Sequence, residues 1–481
     1  MADPADPRGA RRSRLALVPL VISILAVAGA AIAIGISGGA SEPPGGAPGA
    51  SVQPGGAGAA PASGSPAATT GPASGRPTVF SGQPPRLGWI AAVDGSRALT
   101  LITPGGDEIV LSGRDQTTVG FPAFSPDGTR LAAIFATDGV TTIDVFALDA
   151  AAGGAGPPRP IYRSSAQAAF YVSWMPGGRD VSFLANDEDV VVLRVAAADR
   201  ATPLDETDSA SLVRRGAPLY FDWIDDERAL LHVGVGAGAF LGRVRRDGTP
   251  DGGVLTRPAG FRVAQVAPGG RFVSWVRTTG TRSEVVVARD DGSAERSMPV
   301  FGLAAAVFSP VENRLAAIGA VVPDQTDLGF PLGPLRTLDA ESGDSRTLVD
   351  GAVVAFFWAP DGKTIAALRL QASSGTTARA LNPLGAASPS PVPSEVHLLF
   401  VDAASGAVRS DRIVRPGPRL VSELLPYFDQ YALSHRLWAP DSSSFLLPVV
   451  SPGESLEVVA LPADGSDSPF SIAGSAAFWS P

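Results

Sequence analysis

The chain has no cysteine among its 481 residues and contains only three histidines. The absence of cysteine excludes disulfide bonds, thiolate catalysis and metal sites with sulfur ligands. Three histidines are too few for a histidine-rich metal centre, so we expect neither a metal nor a cofactor. Residues 86–481 also lack a Gly-x-Ser-x-Gly sequence, the nucleophile elbow of α/β-hydrolases. We therefore predict no catalytic residues for this part of the chain.

Positive charge is scarce in the same region. The whole chain has a net charge of −9; residues 1–36 contribute +2 and residues 37–85 contribute zero, which leaves −11 on residues 86–481. Nucleic acids and anionic lipid surfaces attract basic proteins. The charge balance therefore argues against nucleic acid as a partner.

The N-terminal part of the chain has the pattern of a membrane anchor. Residues 1–14 include four arginines, and Leu15–Ile36 follows with 22 uncharged residues. A helix of that length can cross the roughly 30 Å apolar layer of a membrane, and preceding arginines favour a cytoplasmic N-terminus. We predict a basic cytoplasmic segment, 1–14, and one transmembrane helix, 15–36, with the remainder outside the cytoplasm. The alternative is secretion after cleavage of a signal peptide.

Residues 37–85 consist mainly of Gly, Ala, Ser, Pro and Thr, with two charged residues. Such a composition does not bury a core, so we predict a disordered linker. A coil of this length would separate a membrane anchor from the head, residues 86–481, by roughly 40 Å.

A short aromatic-Ser/Ala-Pro-Asp-Gly sequence recurs through the head, most clearly at Phe124–Gly128 and Phe357–Gly362. Proline presets the second position of a tight turn and glycine closes it. Three strand-like runs follow each turn, and four short strands every 42–50 residues are typical of a propeller blade. The eight copies, aligned on the proline or its replacement, are at Pro126, Pro176, Asp225, Pro268, Pro310, Pro360, Pro440 and Pro481.

The two ends of the head complement each other. Residues 86–112 contain three strand-like runs without a preceding turn, and residues 475–481 contain a turn sequence without following strands. We predict an all-β head, a β-propeller of four-stranded blades in which the C-terminal strand completes the first blade and closes the ring. The count is then eight blades, or seven if one run is misassigned.

The recurring turn and its following apolar strand resemble the TolB-type, WD-repeat-like propeller family. Similar repeats occur in the propellers of tricorn protease, dipeptidyl peptidase IV and prolyl oligopeptidase. The resemblance covers most of residues 86–481. It implies a scaffold or partner-binding role in the cell envelope, or gating of an attached peptidase, and it provides no catalytic residue.

Three insertions interrupt the repeat, at 321–334, 371–394 and 416–434. All three fall in loops that we expect on one face of the ring, and long loops on a rigid scaffold often bind partners. Aromatic side chains are the usual anchors of such surfaces. The candidate binding residues are Phe330, Leu332, Tyr427, Phe428 and Tyr431, with His435 near the mouth of the ring.

The third insertion has a second interpretation, a lid that buries its own apolar side on the propeller. We predict overall a membrane-anchored, extracytoplasmic propeller that binds an envelope protein or polymer without catalysis. The alternative is a hydrolase or lyase in the central cavity. That alternative needs two or more carboxylates and His435 within hydrogen-bonding reach of one another.

Overall fold

The computed structural model describes residues 88–481 except 95–97, 113–116, 152, 201–209, 235–238, 257–263, 280–281, 322–330, 371–394 and 467–469. The predicted transmembrane helix, the linker, the second insertion and Phe330 therefore lie outside the described residues. Within these residues, no helix has the length and apolar character needed to span a membrane.

The described chain is almost entirely β-structure. The strands are β1 (Ile90–Val93), β2 (Leu99–Ile102), β3 (Glu108–Ser112), β4 (Thr118–Val119), β5 (Ala123–Phe124), β6 (Arg130–Thr137), β7 (Val140–Asp149), β8 (Gly154–Ala155), β9 (Arg159–Ser164), β10 (Gln167–Trp174), β11 (Asp180–Asp187), β12 (Val190–Ala197), β13 (Ser211–Gly216), β14 (Leu219–Trp223), β15 (Arg228–Val233), β16 (Phe240–Arg245), β17 (Pro250–Thr256), β18 (Gln265–Val266), β19 (Phe272–Thr279), β20 (Arg282–Arg289), β21 (Arg296–Phe308), β22 (Arg314–Ala320), β23 (Gly333–Asp339), β24 (Ser345–Trp358), β25 (Thr364–Leu370), β26 (Val396–Asp402), β27 (Val408–Val414), β28 (Ser444–Val450), β29 (Leu456–Pro462), β30 (Phe470–Ala473) and β31 (Ala476–Trp479).

Antiparallel pairing groups these strands into successive units of about four. Unit one is β31-β1-β2-β3, unit two contains β4 to β9, unit three is β10–β13 and unit four is β14–β17. Units five to seven form one continuous sheet from β18 to β27, because β21 and β24 each belong to two units. Unit eight contains β28–β30 and the bridge from Trp438 to Phe445. The pairings of the described residues thus follow the eight copies of the turn.

The first and last strands of the head lie side by side. β31 pairs with β1 in antiparallel register, with Ile90 opposite Trp479 and Val93 opposite Ala476. The amide of Ser480 also donates to the carbonyl of Trp89 at 2.9 Å. The predicted pairing of the C-terminal run with the first strands is therefore confirmed, and the edge of β1 is covered.

The recurring turn is held by its own side chains. In the first copy, Gly128 donates its amide to the Ser125 carbonyl at 2.9 Å and has a positive φ of 69°. Asp127 accepts hydrogen bonds from Ser125 Oγ at 2.5 Å and from the Thr129 amide at 3.0 Å. The hydrogen bond from Ser125 lowers the pKa of Asp127. This local chemistry explains why the turns could be read from sequence.

Tryptophans before the turns connect neighbouring units. We call the strand that leads into each turn the inner strand. The indole N–H of Trp174 in unit three donates to the Ala123 carbonyl of unit two at 2.8 Å. Trp358 and Trp438 repeat the contact, donating at 3.0 Å to carbonyls of units six and seven. These tryptophans therefore pack between units and fix each inner strand against the preceding one.

Candidate functional site

The third insertion folds into three short helical turns. They are a π-helical turn, Leu420–Leu424, a 3-10 turn, Leu425–Tyr427, and a short α-helix, α1, Phe428–Tyr431. Pro426 lies at the start of the 3-10 turn, where its missing N–H leaves no hydrogen bond broken. Its apolar residues Leu420, Leu424, Phe428 and Tyr431 recur at helical spacing, which is the pattern of such a segment.

The insertion buries its apolar side against the propeller. Phe428 is fully buried and packs edge-on against Phe356 and Phe357, with ring centres 5.3 and 5.8 Å away. Leu420 and Leu424 are buried in the same core. The insertion is therefore part of the hydrophobic core.

A second side of the insertion faces units two and three. The ring of Tyr431 packs edge-on against Phe121 at 5.2 Å and against Tyr171 at 5.4 Å. Phe121 lies between β4 and β5, and Tyr171 belongs to β10. Both aromatic partners are buried, Tyr171 on an inner strand and Phe121 in the segment that leads into one.

Hydrogen bonds tie the insertion to units four and five as well. Gln430 donates to the Phe221 carbonyl at 3.0 Å and to the Tyr171 hydroxyl at 3.1 Å. Gln265 donates to the carbonyl of Asp429 at 3.1 Å. One short segment thus contacts the inner strands of units two, three, four, five and seven, so it lies where those strands converge.

These contacts correct one expectation about the candidate binding residues. Phe428 and Leu332 are buried rather than exposed, and Tyr427 and Tyr431 are half-buried. The lid interpretation of residues 416–434 is confirmed instead. Helical spacing indicates that an apolar side exists, but it does not indicate what covers that side; here the inner strands supply an aromatic surface.

His435 sits beneath the insertion in the same aromatic cluster. Its Nδ1 lies 2.7 Å from Ser434 Oγ, and its Nε2 lies 3.3 Å from the Phe121 carbonyl. Burial lowers the pKa of His435 to about 4, so the imidazole is neutral at physiological pH. Among the described residues its hydrogen-bonding partners are a hydroxyl and a carbonyl, not the carboxylates that a central acid–base site requires.

A partly open cavity of about 160 Å³ lies between the insertion and units two to four. Four of its ten lining residues are aromatic, and Asp222 is the one acidic residue among them. The residues that define its chemistry are Tyr171, Trp174, Phe221, Asp222, Trp223 and Gln430. We call this cavity the Asp222 pocket.

Asp222 is held in place by a neighbouring unit. Its Oδ2 accepts a hydrogen bond from the Val266 amide of β18 at 2.8 Å. Burial raises the pKa of Asp222 to about 7, because the carboxylate loses hydration that two backbone hydrogen bonds only partly replace. Sequence reasoning missed this residue, since its only signal is a carboxylate between two aromatics, Phe221 and Trp223.

The remaining two histidines lie within strands. His232 is buried within β15. His397 pairs with Asp411 at 2.7 Å on the neighbouring strand. Over the described parts of residues 88–481, no cluster of three or more acidic or histidine side chains is arranged to hold a metal ion.

No protein-family model matches the chain, and no curated protein matches it. TolB from Acinetobacter baumannii is similar in structure, with a TM-score of 0.36 and 12% identity over 68% of this chain and 63% of that one. The dihydro-heme d1 dehydrogenase NirN aligns with a TM-score of 0.45 and 15% identity over 84% of this chain and 77% of that one.

Prolyl oligopeptidase B from Galerina marginata aligns with a TM-score of 0.48 and 9% identity, covering 76% of this chain. This chain spans only 51% of that enzyme's length. These similarities concern the fold alone. The repeated antiparallel units of about four strands in the described residues have the architecture of the β-propeller type.

Proposed function

We propose that the protein is a membrane-anchored, TolB-like propeller outside the cytoplasm that binds an envelope protein or polymer without catalysing a reaction. In this proposal the eight units are the blades of one ring. The pairing of β31 with β1 supports closure, and the convergence of inner strands on the insertion supports a common axis.

The Asp222 pocket is the observation that carries the binding function. Its walls are preformed, because Trp174 donates to the Ala123 carbonyl at 2.8 Å and Trp223 donates to Ser182 Oγ at 3.0 Å. Concave sites lined by apolar and aromatic side chains, with a few fixed polar groups, are typical binding sites. Rigid walls also lower the entropy cost of binding.

The membrane anchor is the part of the proposal that rests on sequence. Leu15–Ile36 is long and apolar enough to span a membrane. We expect the full-length protein to sediment with membranes and to retain its N-terminal residues in mass spectrometry. A mature N-terminus close to residue 29 or beyond would instead indicate secretion after cleavage.

A hydrolase or lyase in the central cavity is the second candidate. It is favoured by the hydroxyl–imidazole contact of Ser434 with His435 at 2.7 Å. The low pKa of His435 weakens it, because such an imidazole is a poor base at neutral pH. Ser434→Ala should leave the biological activity of the protein intact if it is a binding scaffold, and abolish it if this pair is catalytic.

Site-specific photocrosslinking tests the binding function. A photoreactive amino acid would replace the exposed Pro176 at the rim of the pocket, and in a control would replace Val110, which is 65% exposed on β3 of unit one. We expect the full-length protein in native membranes to give a distinct adduct from residue 176 and none from residue 110. Identical adducts at both positions, or none at residue 176, would contradict the proposal.

A further inference from the structure

The Asp222 pocket has the charge of a cation site. Among the described residues that line it, Asp222 has the only acidic side chain, and none has a basic one. In the described part of the chain, no arginine or lysine shifts the pKa of this carboxylate, and its hydrogen-bond donors are backbone amides. A carboxylate without a cationic neighbour gains most from a ligand that supplies the missing positive charge.

The aromatic walls favour the same class of ligand. Aromatic faces attract cations, most strongly when the cation loses part of its hydration. The Trp174 ring already interacts with one, since the Arg130 guanidinium lies 4.8 Å from its centre. Trp223, Phe221 and Tyr171 add further aromatic surface beside Asp222. The alkyl part of a long cationic side chain would pack against such surface.

The size of the cavity limits what it can hold. Its volume of about 160 Å³ lies below the roughly 300–1,000 Å³ of ordinary small-molecule pockets. The pocket therefore suits the end of a single side chain better than a whole small molecule. The ammonium group of lysine is more compact than the planar guanidinium of arginine.

We propose that the Asp222 pocket binds the primary ammonium group of a lysine side chain presented by a protein partner. This inference rests on the binding function proposed above and specifies its chemistry. In the complex the ammonium group donates to the Asp222 carboxylate, and the alkyl chain lies against the indole and phenyl walls. Gln430 of the insertion lies at the same pocket, so binding also engages the insertion.

The pH dependence of binding follows from the groups around the ligand. The pKa of Asp222 is about 7, so affinity for an ammonium group should fall as the pH drops below 7. Tyr171 stays neutral, because burial raises its pKa to about 12. At the rim, Asp226 accepts a hydrogen bond from the Gly177 amide at 2.6 Å, and the Arg130 guanidinium lies over the Trp174 ring.

Calorimetric titration with a small lysine peptide tests the proposal. The probe is Nα-acetyl-lysine methylamide, and its matched control is the norleucine analogue, which lacks the ammonium group. We expect the full-length protein to bind the lysine probe with a dissociation constant of about a millimolar, and the norleucine analogue at least about tenfold more weakly. Equal affinity for the two probes would overturn the proposal.

Two protein variants complete the test. Asp222→Asn should weaken binding of the lysine probe by about tenfold or more, whereas Asp189→Asn, the same charge change at an exposed turn of unit three, should not. Thermal unfolding of both variants checks that they are folded. Unchanged affinity in folded Asp222→Asn would refute the role of this carboxylate.

Taken together, the probe titration and the photocrosslinking experiment distinguish the lysine inference from the binding function on which it rests. If the lysine probe does not bind but residue 176 still forms a distinct adduct, the lysine inference fails and the binding function stands. If neither is observed, both fail. Loss of the adduct in Asp222→Asn, together with binding of the lysine probe by the wild type, supports both.

Discussion

At the scale of single residues, the recurring turns depend on one backbone angle. Gly128 and Gly362 both have φ near +68°, a conformation that other residues rarely adopt. Their surroundings differ. A Cβ added at Gly128 would meet nothing closer than 3.6 Å, whereas one at Gly362 would lie 2.4 Å from Cγ2 of Val311. Equivalent positions of the repeat therefore tolerate substitution unequally.

Alanine substitutions at these two glycines should lower the free energy of unfolding by different amounts. Gly128→Ala should lower the free energy of unfolding by about 1 kcal/mol, which reflects the positive φ alone. Gly362→Ala should cost about 2 kcal/mol or more, because the new methyl group would overlap Cγ2 of Val311 and would also lie 3.0 Å from Oγ of the buried Ser309. Denaturant unfolding of the two variants beside the wild type measures both; equal costs would contradict the role assigned to Val311.

The carboxylate of Asp222 links pH to stability. Because its pKa is raised in the folded state, from 3.8 to about 7, the folded protein holds this proton more tightly than the unfolded chain does. The stability that it contributes is fully present below the unfolded pKa and is lost as pH rises through about 7.

Asp222→Asn should remove this pH dependence. At pH 8 the variant should exceed the wild type in free energy of unfolding by about 2 kcal/mol, a value reduced from the full shift because the side chain is only half-buried. At pH 4 the difference should vanish. Urea unfolding across this range provides the measurement, with Asp189→Asn as control; a parallel pH profile for wild type and Asp222→Asn would argue against the raised pKa.

At the scale of structural elements, the insertion 416–434 is the part that departs from the repeat. It places Phe428 and Tyr431 against aromatics of inner strands, and Gln430 against backbone groups that would otherwise face the centre. Filling this space adds core and forms one wall of the Asp222 pocket. The insertion therefore connects the stability of the head with the proposed binding site.

Alanine substitutions at two neighbouring aromatic residues of the insertion should lower the free energy of unfolding by different amounts. Phe428→Ala should destabilise the head by about 3–4 kcal/mol, since a fully buried phenyl group leaves a cavity. Tyr427→Ala should cost less than about 1.5 kcal/mol, because that side chain is half-buried. Chemical denaturation measures both, and similar costs would indicate that the insertion is not docked.

Hydrogen bonds within each turn made much of the fold predictable from the sequence, whereas the candidate site depends on contacts between residues that are far apart in the chain. The turn at Phe124–Gly128 is stabilised by residues within the turn, so its copies marked the units. The position of Phe428 depends on Phe356, and the environment of Asp222 depends on Val266 of the next unit. Such contacts have no periodic signature. For this reason the sequence left two interpretations of the insertion open, a binding surface and a buried lid, and it contained no signal for the pocket.

At the scale of the whole molecule, the proposed site requires a closed ring. The inner strands converge on the insertion only if unit one lies beside unit eight, which the pairing of β31 with β1 provides. Ala92 and Ala477 are opposite each other in this pairing and are both buried. Hydrogen-bonded and non-hydrogen-bonded residue pairs alternate along two antiparallel strands. Trp89 and Ser480 form a hydrogen-bonded pair, so Ala92 and Ala477, three positions further along, form a non-hydrogen-bonded pair. The Cα atoms of such a pair are about 4.5 Å apart. That separation suits a disulfide bond.

Engineered cysteines at these positions test closure most directly, since the natural chain has none. After mild oxidation, the Ala92→Cys, Ala477→Cys variant should lose both thiols and melt at a higher temperature. The control is Ala91→Cys, Ala477→Cys, whose side chains point to opposite faces of the sheet; it should keep both thiols. Two results would contradict the closed ring on which the proposed binding site depends. One is that the Ala92→Cys, Ala477→Cys variant keeps its free thiols, and the other is that both variants oxidise equally.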